Sequence, residues 1–280
     1  MNPSKKYTGV IVPAITPLTA RLQIDEAAVE KLFNSFYDQD IAPFILGTTG
    51  EAASIPFQIK KDYIQAAERI KKPGTLLYAG IGSNVLAEST SMAAFFALHG
   101  VDVLVATLPS YYTLTELQMK EYFTELANTV PLPLFIFNIP ATTHMSIPLQ
   151  LIEELSHHPN IVGIKDSERS EERLKESIER WKSRSDFHYI LGWATQSANA
   201  LLMGADGLVP STGNLYPGIY AAMIKAFKEN DTALLQELQG KSDTYGAVYQ
   251  AGRTLGESLK VLKQLMEEKG ICTSVMMPPL

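Results

Sequence analysis

The chain is poor in the groups that build disulfide, metal and membrane scaffolds. It has one cysteine, Cys272, in 280 residues, which excludes an internal disulfide and any multi-cysteine metal site. Its five histidines offer no ligand-spaced pair, since the adjacent His157 and His158 would point in different directions on a helix. No run approaches the ~18 apolar residues of a membrane span. Residues Met1 to Tyr7 lack the apolar stretch of a signal peptide. A basic excess is also missing: 24 Lys and Arg stand against 30 Asp and Glu, a net charge of −6. Neither nucleic acid nor an anionic membrane is therefore an expected partner. No GxGxxG turn follows the first apolar run, and no Gly-Lys-Ser/Thr follows Gly47-Thr-Thr-Gly50 at the spacing of a phosphate loop. These absences lead to the expectation of a cytoplasmic protein without metal or cofactor.

What is present is a regular alternation. Short aliphatic runs lie at Gly9–Ile15, Ala42–Gly47, Thr75–Ile81, Asp102–Ala106, Leu134–Asn138, Ile161–Lys165, His188–Leu191 and Gly207–Val209. Amphipathic stretches lie between them, near 26–38, 58–71, 86–99, 115–129, 147–156, 170–182, 195–204 and 216–229. Eight strands alternating with eight helices predict a closed parallel (β/α)8 barrel over residues 1–229. Asp25 is placed to cap the first helix, and Ser146 with Pro148 to open another. Residues 230–280 carry no strand signal. They predict two or three extra helices, one over Thr254–Lys269 with Leu255, Leu259, Leu262 and Leu265 on one face. This C-terminal extension is expected to pack on the barrel as part of one structural domain.

Function in such a barrel belongs at the C-terminal ends of its strands. Lys165 terminates the apolar run Ile161-Val-Gly-Ile-Lys165. Burial there would disfavour its ammonium form and leave an amine able to attack a carbonyl; a lysine snorkelling to water from a strand end is the plainer alternative. After strand two, Gly47-Thr-Thr-Gly-Glu51 makes a tight turn whose amides and hydroxyls could converge on a carboxylate, or whose threonines could simply cap the next helix. Strand five leaves through the rigid turn Asn138-Ile-Pro140. Strand four leaves through Leu108-Pro-Ser-Tyr-Tyr112, whose two tyrosines suit proton transfer or a subunit contact equally.

Taken in order, Gly47-Thr48-Thr49-Gly50-Glu51, Pro109 to Tyr112, Asn138-Ile-Pro140 and Gly163-Ile-Lys165 resemble the dihydrodipicolinate synthase/N-acetylneuraminate lyase family. The resemblance runs from Gly9 through Thr16-Pro17 to Met277-Pro278. It implies a (β/α)8 barrel with a C-terminal helical extension, assembled as a dimer of dimers, and cofactor-free class I aldolase chemistry. By that resemblance Lys165 forms a Schiff base with pyruvate or another 2-keto acid. Thr49 and the amide of Thr48 hold the keto-acid carboxylate, and Thr48 joins a proton relay to Tyr112 lent by a neighbouring subunit. Gly192 and the carbonyl of Val209 line the pocket.

The chain departs from the family pattern in two respects, one at a catalytic position and one where substrate is bound. Phe137 stands where the family usually has a tyrosine whose hydroxyl shuttles protons. His144, seven residues on, could supply a titrating group in its place or be a surface residue at a helix start. Thr142 stands where the synthases carry an arginine for aspartate semialdehyde. Trp193 and Ala194 follow Gly192 where sialic-acid lyases carry an acidic pair; the indole could stack on substrate or plug the barrel mouth. The expected activity is an aldolase joining or separating a 2-keto acid and an aldehyde, with a product of the 2-keto-3-deoxy sugar acid type. Condensation of pyruvate with aspartate semialdehyde, or a keto-acid binder without turnover, are the alternatives.

Overall fold

A computed structural model describes residues 5–280. Eight parallel strands close into a barrel in chain order: β1 (Gly9–Pro13), β2 (Ala42–Ile45), β3 (Tyr78–Gly80), β4 (Val103–Thr107), β5 (Leu134–Asn138), β6 (Ile161–Asp166), β7 (His188–Leu191) and β8 (Gly207–Leu208). Gly9 and Val10 of β1 pair with Gly207 and Leu208 of β8, which shuts the ring. All eight predicted runs become strands: four are trimmed at their ends, β5 and β7 keep their predicted bounds, β6 gains Asp166 and β4 shifts by one residue.

The strands are apolar on both faces because both faces are covered. Along β4 and β5, Val103, Val105, Phe135 and Phe137 belong to the barrel interior with Ile11, Phe44, Tyr78 and Ile190. Alternate residues Leu104, Ala106, Leu134 and Ile136 belong to the larger layer between barrel and helices. That period of two sorts each strand's side chains into two cores.

The surrounding helices are α1 (Glu26–Tyr37), α2 (Phe57–Ile70), α3 (Leu86–Leu98), α4 (Glu116–Thr129), α5 (Pro140–Thr143), α6 (Leu149–Leu155), α7 (Glu171–Trp181), α8 (Ser197–Met203) and α9 (Pro217–Lys228). Asp25 caps α1 as expected, accepting from the Ala28 amide at 3.1 Å, an interaction whose loss costs about 1 kcal/mol. Ser146 does not open α6. Pro148 occupies the N-cap, and the Ser146 hydroxyl instead donates to Glu168 Oε2 at 2.6 Å. One element was not foreseen: Pro140 opens the single-turn α5, which His144 closes in the left-handed conformation, φ 58°.

Beyond the barrel, α10 (Thr232–Gln250) lies along α9 and α8, and α11 (Leu255–Glu268) follows it. Thr254 and Glu257 form a reciprocal capping box at the start of α11. Its buried face keeps three of the four expected leucines, with Leu265 half-buried, and adds Lys263 and Met266. Leu255 is exposed, whereas Leu259, Leu262, Lys263 and Met266 are buried. A lysine on a buried face needs a partner, and Glu51 supplies it. No helix among the described residues is long and apolar enough to cross a membrane.

Candidate active site

Lys165 points into the barrel from β6, in register with Phe137 of β5 and Ile190 of β7. It is 4% exposed. Two residues earlier on the same face is Gly163, where any Cβ would come within 2.4 Å of the Phe135 ring. Glycine there lets that ring fill the layer beneath the lysine. The Lys165 amine lies 3.7 Å from the centroid of Phe137 and 4.8 Å from that of Phe44. Among the described residues no carboxylate lies within ion-pair distance of it, so burial goes uncompensated and its pKa falls to about 7.

A cavity of about 850 Å³ opens over this floor. Phe44, Phe137, Thr48, Thr107 and Thr142 line it; Lys165 itself does not, but both rings that its amine rests on do. Gly47, Thr48 and Glu51 of the turn after β2 form one wall, whereas Thr49 is buried and does not line the cavity. The turn is folded tightly by bonds from the Gly50 and Ala52 amides to the Gly47 carbonyl, at 3.1 and 3.2 Å. The Thr16 hydroxyl donates to the Gly50 carbonyl at 2.6 Å. Among the described residues, the amides and hydroxyls of Thr48 and Thr49 donate no hydrogen bond. Neither threonine caps a helix either, because α2 begins only at Phe57 with Pro56 as its N-cap. A buried turn with two unused amides suits an anion.

The remaining predicted residues divide into two groups. Val209 is buried inside the barrel, and its amide donates to the Leu191 carbonyl at 2.7 Å. Gly192 closes on β6 through a 2.6 Å bond to the Asp166 carbonyl. A Cβ on Gly192 would sit 2.1 Å from Ser167 Oγ, so glycine makes room for that hydroxyl. Trp193 is half-buried against the outer core and does not line the cavity. His144 is exposed and also lies outside the cavity lining. Tyr111 and Tyr112 stand out from the loop after β4, 78% and 73% exposed, with their rings edge to face.

Sequence reasoning missed the polar frame behind the lysine. Asp166, next along β6, faces outward. Its carboxylate accepts from Asn138 Nδ2 at 2.9 Å, Arg173 Nε at 2.7 Å and the Glu168 amide at 3.0 Å. Burial raises the Asp166 pKa while Arg173 and Asn138 oppose the rise. Asn138 also accepts from the Ile147 amide at 3.1 Å, tying the exits of β5 and β6 together. The one sequence signal was an Asp beside the lysine in an otherwise apolar strand. Phe44 and Ser167 were missed as well; an apolar strand residue and a loop serine carry no signal of their own.

A closed barrel with a desolvated amine, unpaired among the described residues, under a cavity walled by a turn with free amides suits a carbon–carbon lyase of the aldolase type. The Dihydrodipicolinate synthetase family matches residues 6–280, and the chain belongs to that family. It is 26% identical over 248 residues to an Escherichia coli protein named probable 2-dehydro-3-deoxy-D-pentonate aldolase, covering 88% of this chain and 82% of that one. It is 30% identical over 236 residues to a 4-hydroxy-tetrahydrodipicolinate synthase of Helicobacter pylori, covering 81% and 78%. Among solved structures, dihydrodipicolinate synthase from Bacteroides thetaiotaomicron superposes with a TM-score of 0.92 at 28% identity, covering all of this chain and 94% of that one. The Escherichia coli prophage protein YagE, in complex with pyruvate, gives 0.92 at 25% identity over 98% and 92%.

Proposed function

We propose that the protein is a class I aldolase that forms a Schiff base between Lys165 and pyruvate or a related 2-keto acid. The observation that carries this is the Lys165 amine, buried without a carboxylate and held near neutral pKa between two aromatic rings. A neutral amine is the nucleophile that imine formation requires. It adds to the keto carbon, and the carbinolamine takes up a proton from solvent on its hydroxyl and loses water to give an iminium cation. The rings of Phe44 and Phe137 present π faces to that cation, worth about 1–2 kcal/mol in a desolvated site. The unused amides and hydroxyls of Thr48 and Thr49 hold the keto-acid carboxylate beside it.

Loss of a proton from the methyl carbon turns the iminium into an enamine, which adds to an aldehyde; cleavage is the reverse. Those proton transfers need a hydroxyl relay. Phe137 has none to offer, so the relay runs through Thr48 and the Tyr112 of a second copy. The exposed group Tyr111, Tyr112 and Leu117 supports a homo-oligomer that covers this loop, with a dimer of dimers as its form. The enzyme is taken to work in the cytoplasm.

For the aldehyde, a polyhydroxylated partner giving a 2-keto-3-deoxy sugar acid is favoured over aspartate semialdehyde. Thr142 lines the cavity where a synthase would place a guanidinium, and a hydroxyl suits a sugar chain. The test is incubation with pyruvate and borohydride, followed by mass spectrometry of Lys165. A reduced pyruvyl adduct on that residue is expected; its absence with pyruvate and other 2-keto acids overturns the reading. An aldehyde screen with coupled pyruvate detection then separates the sugar-acid aldolase, the synthase and a keto-acid binder without turnover.

A further inference from the structure

Glu51 ends the anion-binding turn in the left-handed conformation, φ 58°, which a residue with a Cβ adopts only under constraint. Its side chain is buried and meets the Lys263 amine of α11 at 2.5 Å, with side-chain exposures of 0% and 1%. The other carboxylate oxygen accepts the Met277 amide at 2.8 Å. Lys263 also donates to the Val275 carbonyl at 2.7 Å, and Thr273 to the Leu18 carbonyl at 2.5 Å. Glu51 thus joins the turn carrying Thr48 and Thr49 to the C-terminal extension, two segments more than 200 residues apart in sequence.

We propose that Glu51 and Lys263 are positioning residues for keto-acid binding. The buried ion pair holds the turn in the geometry that leaves the Thr48 and Thr49 amides free, so the extension sets substrate affinity from outside the barrel. This rests on the Schiff-base reading of the site. Within the turn, the amides of Gly50, Glu51 and Ala52 bond back onto Gly47 and Thr48. If Glu51 is released from its left-handed position, the turn can satisfy the two remaining amides internally or with water, and the carboxylate pocket is lost. The pair does not touch the reacting carbon, and its removal should act on binding and leave the chemistry of Lys165 alone.

The test measures borohydride-trapped adduct on Lys165 against pyruvate concentration for wild type, Lys263→Met and Glu51→Gln. Glu51→Gln keeps the side-chain shape and the acceptor for the Met277 amide, so it serves if Lys263→Met does not fold. Expected is a half-saturating pyruvate concentration raised about tenfold, the loss of one charge-assisted contact, with the trapping rate at saturation within about twofold of wild type. Lys263→Arg should recover most of the affinity. Lys5→Met, which breaks the buried pair with Asp206 at the opposite end of the barrel, serves as the comparison for destabilisation alone. Half-saturation unchanged in both site variants, or raised equally by Lys5→Met, overturns the proposal. Failure of wild type to form the adduct overturns the Schiff-base reading instead.

Discussion

Lys5 and Lys165 lie at opposite ends of one barrel, equally buried and oppositely treated. Lys5, below the strands, donates to Asp206 at 2.7 Å and to the carbonyls of Trp181 and Phe187 at 3.1 Å. All three ammonium protons have acceptors. Lys165, at the strand ends, has two aromatic rings and, among the described residues, no carboxylate partner. Lys263 falls between them: burial lowers its pKa while Glu51 opposes the fall. A buried cation with a full set of partners serves the fold; one without them is held ready as an amine.

The largest test of that contrast is removal of each amine. Lys165→Met should abolish the pyruvyl adduct and reduce lyase turnover by about 10³-fold or more. The same change should stabilise the fold. The folded pKa, about 7, lies below the unfolded value of 10.5, so the unfolded chain binds the extra proton between them and wild-type stability rises with pH across that window. Lys165→Met should therefore gain on the order of 4 kcal/mol at neutral pH, shrinking toward zero as pH approaches 10.5. Lys5→Met should lose about 3–5 kcal/mol by stranding Asp206. Urea unfolding of both variants checks this, and a destabilised Lys165→Met would break the comparison.

Next in size is the pH dependence of imine formation. With the attacking amine neutral only above its own pKa, the rate of adduct trapping at fixed pyruvate should rise through a midpoint near 7. An exposed lysine would show its midpoint more than about three units higher. A midpoint above 9 would return Lys165 to the ordinary class. A smaller effect is expected from Phe137→Tyr, which sets a hydroxyl in the cavity floor beside the amine. Carbon–carbon bond cleavage should accelerate by about 10–100-fold, with half-saturating pyruvate little changed. Equal turnover in the two proteins would mean that the relay through Thr48 already suffices.

The barrel was legible because its signal is periodic: apolar runs of three to seven residues, each followed by a helical pattern, repeat from residue 9 to residue 229. Lys165 and the Gly47–Glu51 turn were legible because polar residues at strand ends interrupt that pattern. Less visible was anything set by long-range contact. Nothing local says that Lys263 belongs on the buried face of α11, since its partner Glu51 is 212 positions away; the leucine stripe found Leu259, Leu262 and the half-buried Leu265 but not the lysine between them. Ser146 read as a cap because it precedes a proline, but Glu168 competes for the same hydroxyl. The exposure of Tyr112 in a single chain likewise has no sequence signal of its own.

The smallest expected effect concerns what holds an unpartnered lysine in place. Among the described residues its side chain makes no hydrogen bond that could orient it, so its position depends on the β6 backbone and the rings beneath. The backbone is fixed from behind, where Asp166 accepts from Asn138 and Arg173 and where Ser146 steadies Glu168. Ser146 is exposed and at the edge of that frame. Ser146→Ala should cost about 0.5–1 kcal/mol of stability and change trapping kinetics by less than about twofold. Asn138→Ala removes a buried donor to both Asp166 and Glu168 and the acceptor for the Ile147 amide; it should slow trapping several-fold while leaving the midpoint near pH 7, because the groups around the amine are unchanged. A shift of that midpoint in Asn138→Ala would mean that the polar frame sets the charge of Lys165 as well as its place, and that the two faces of β6 are not independent.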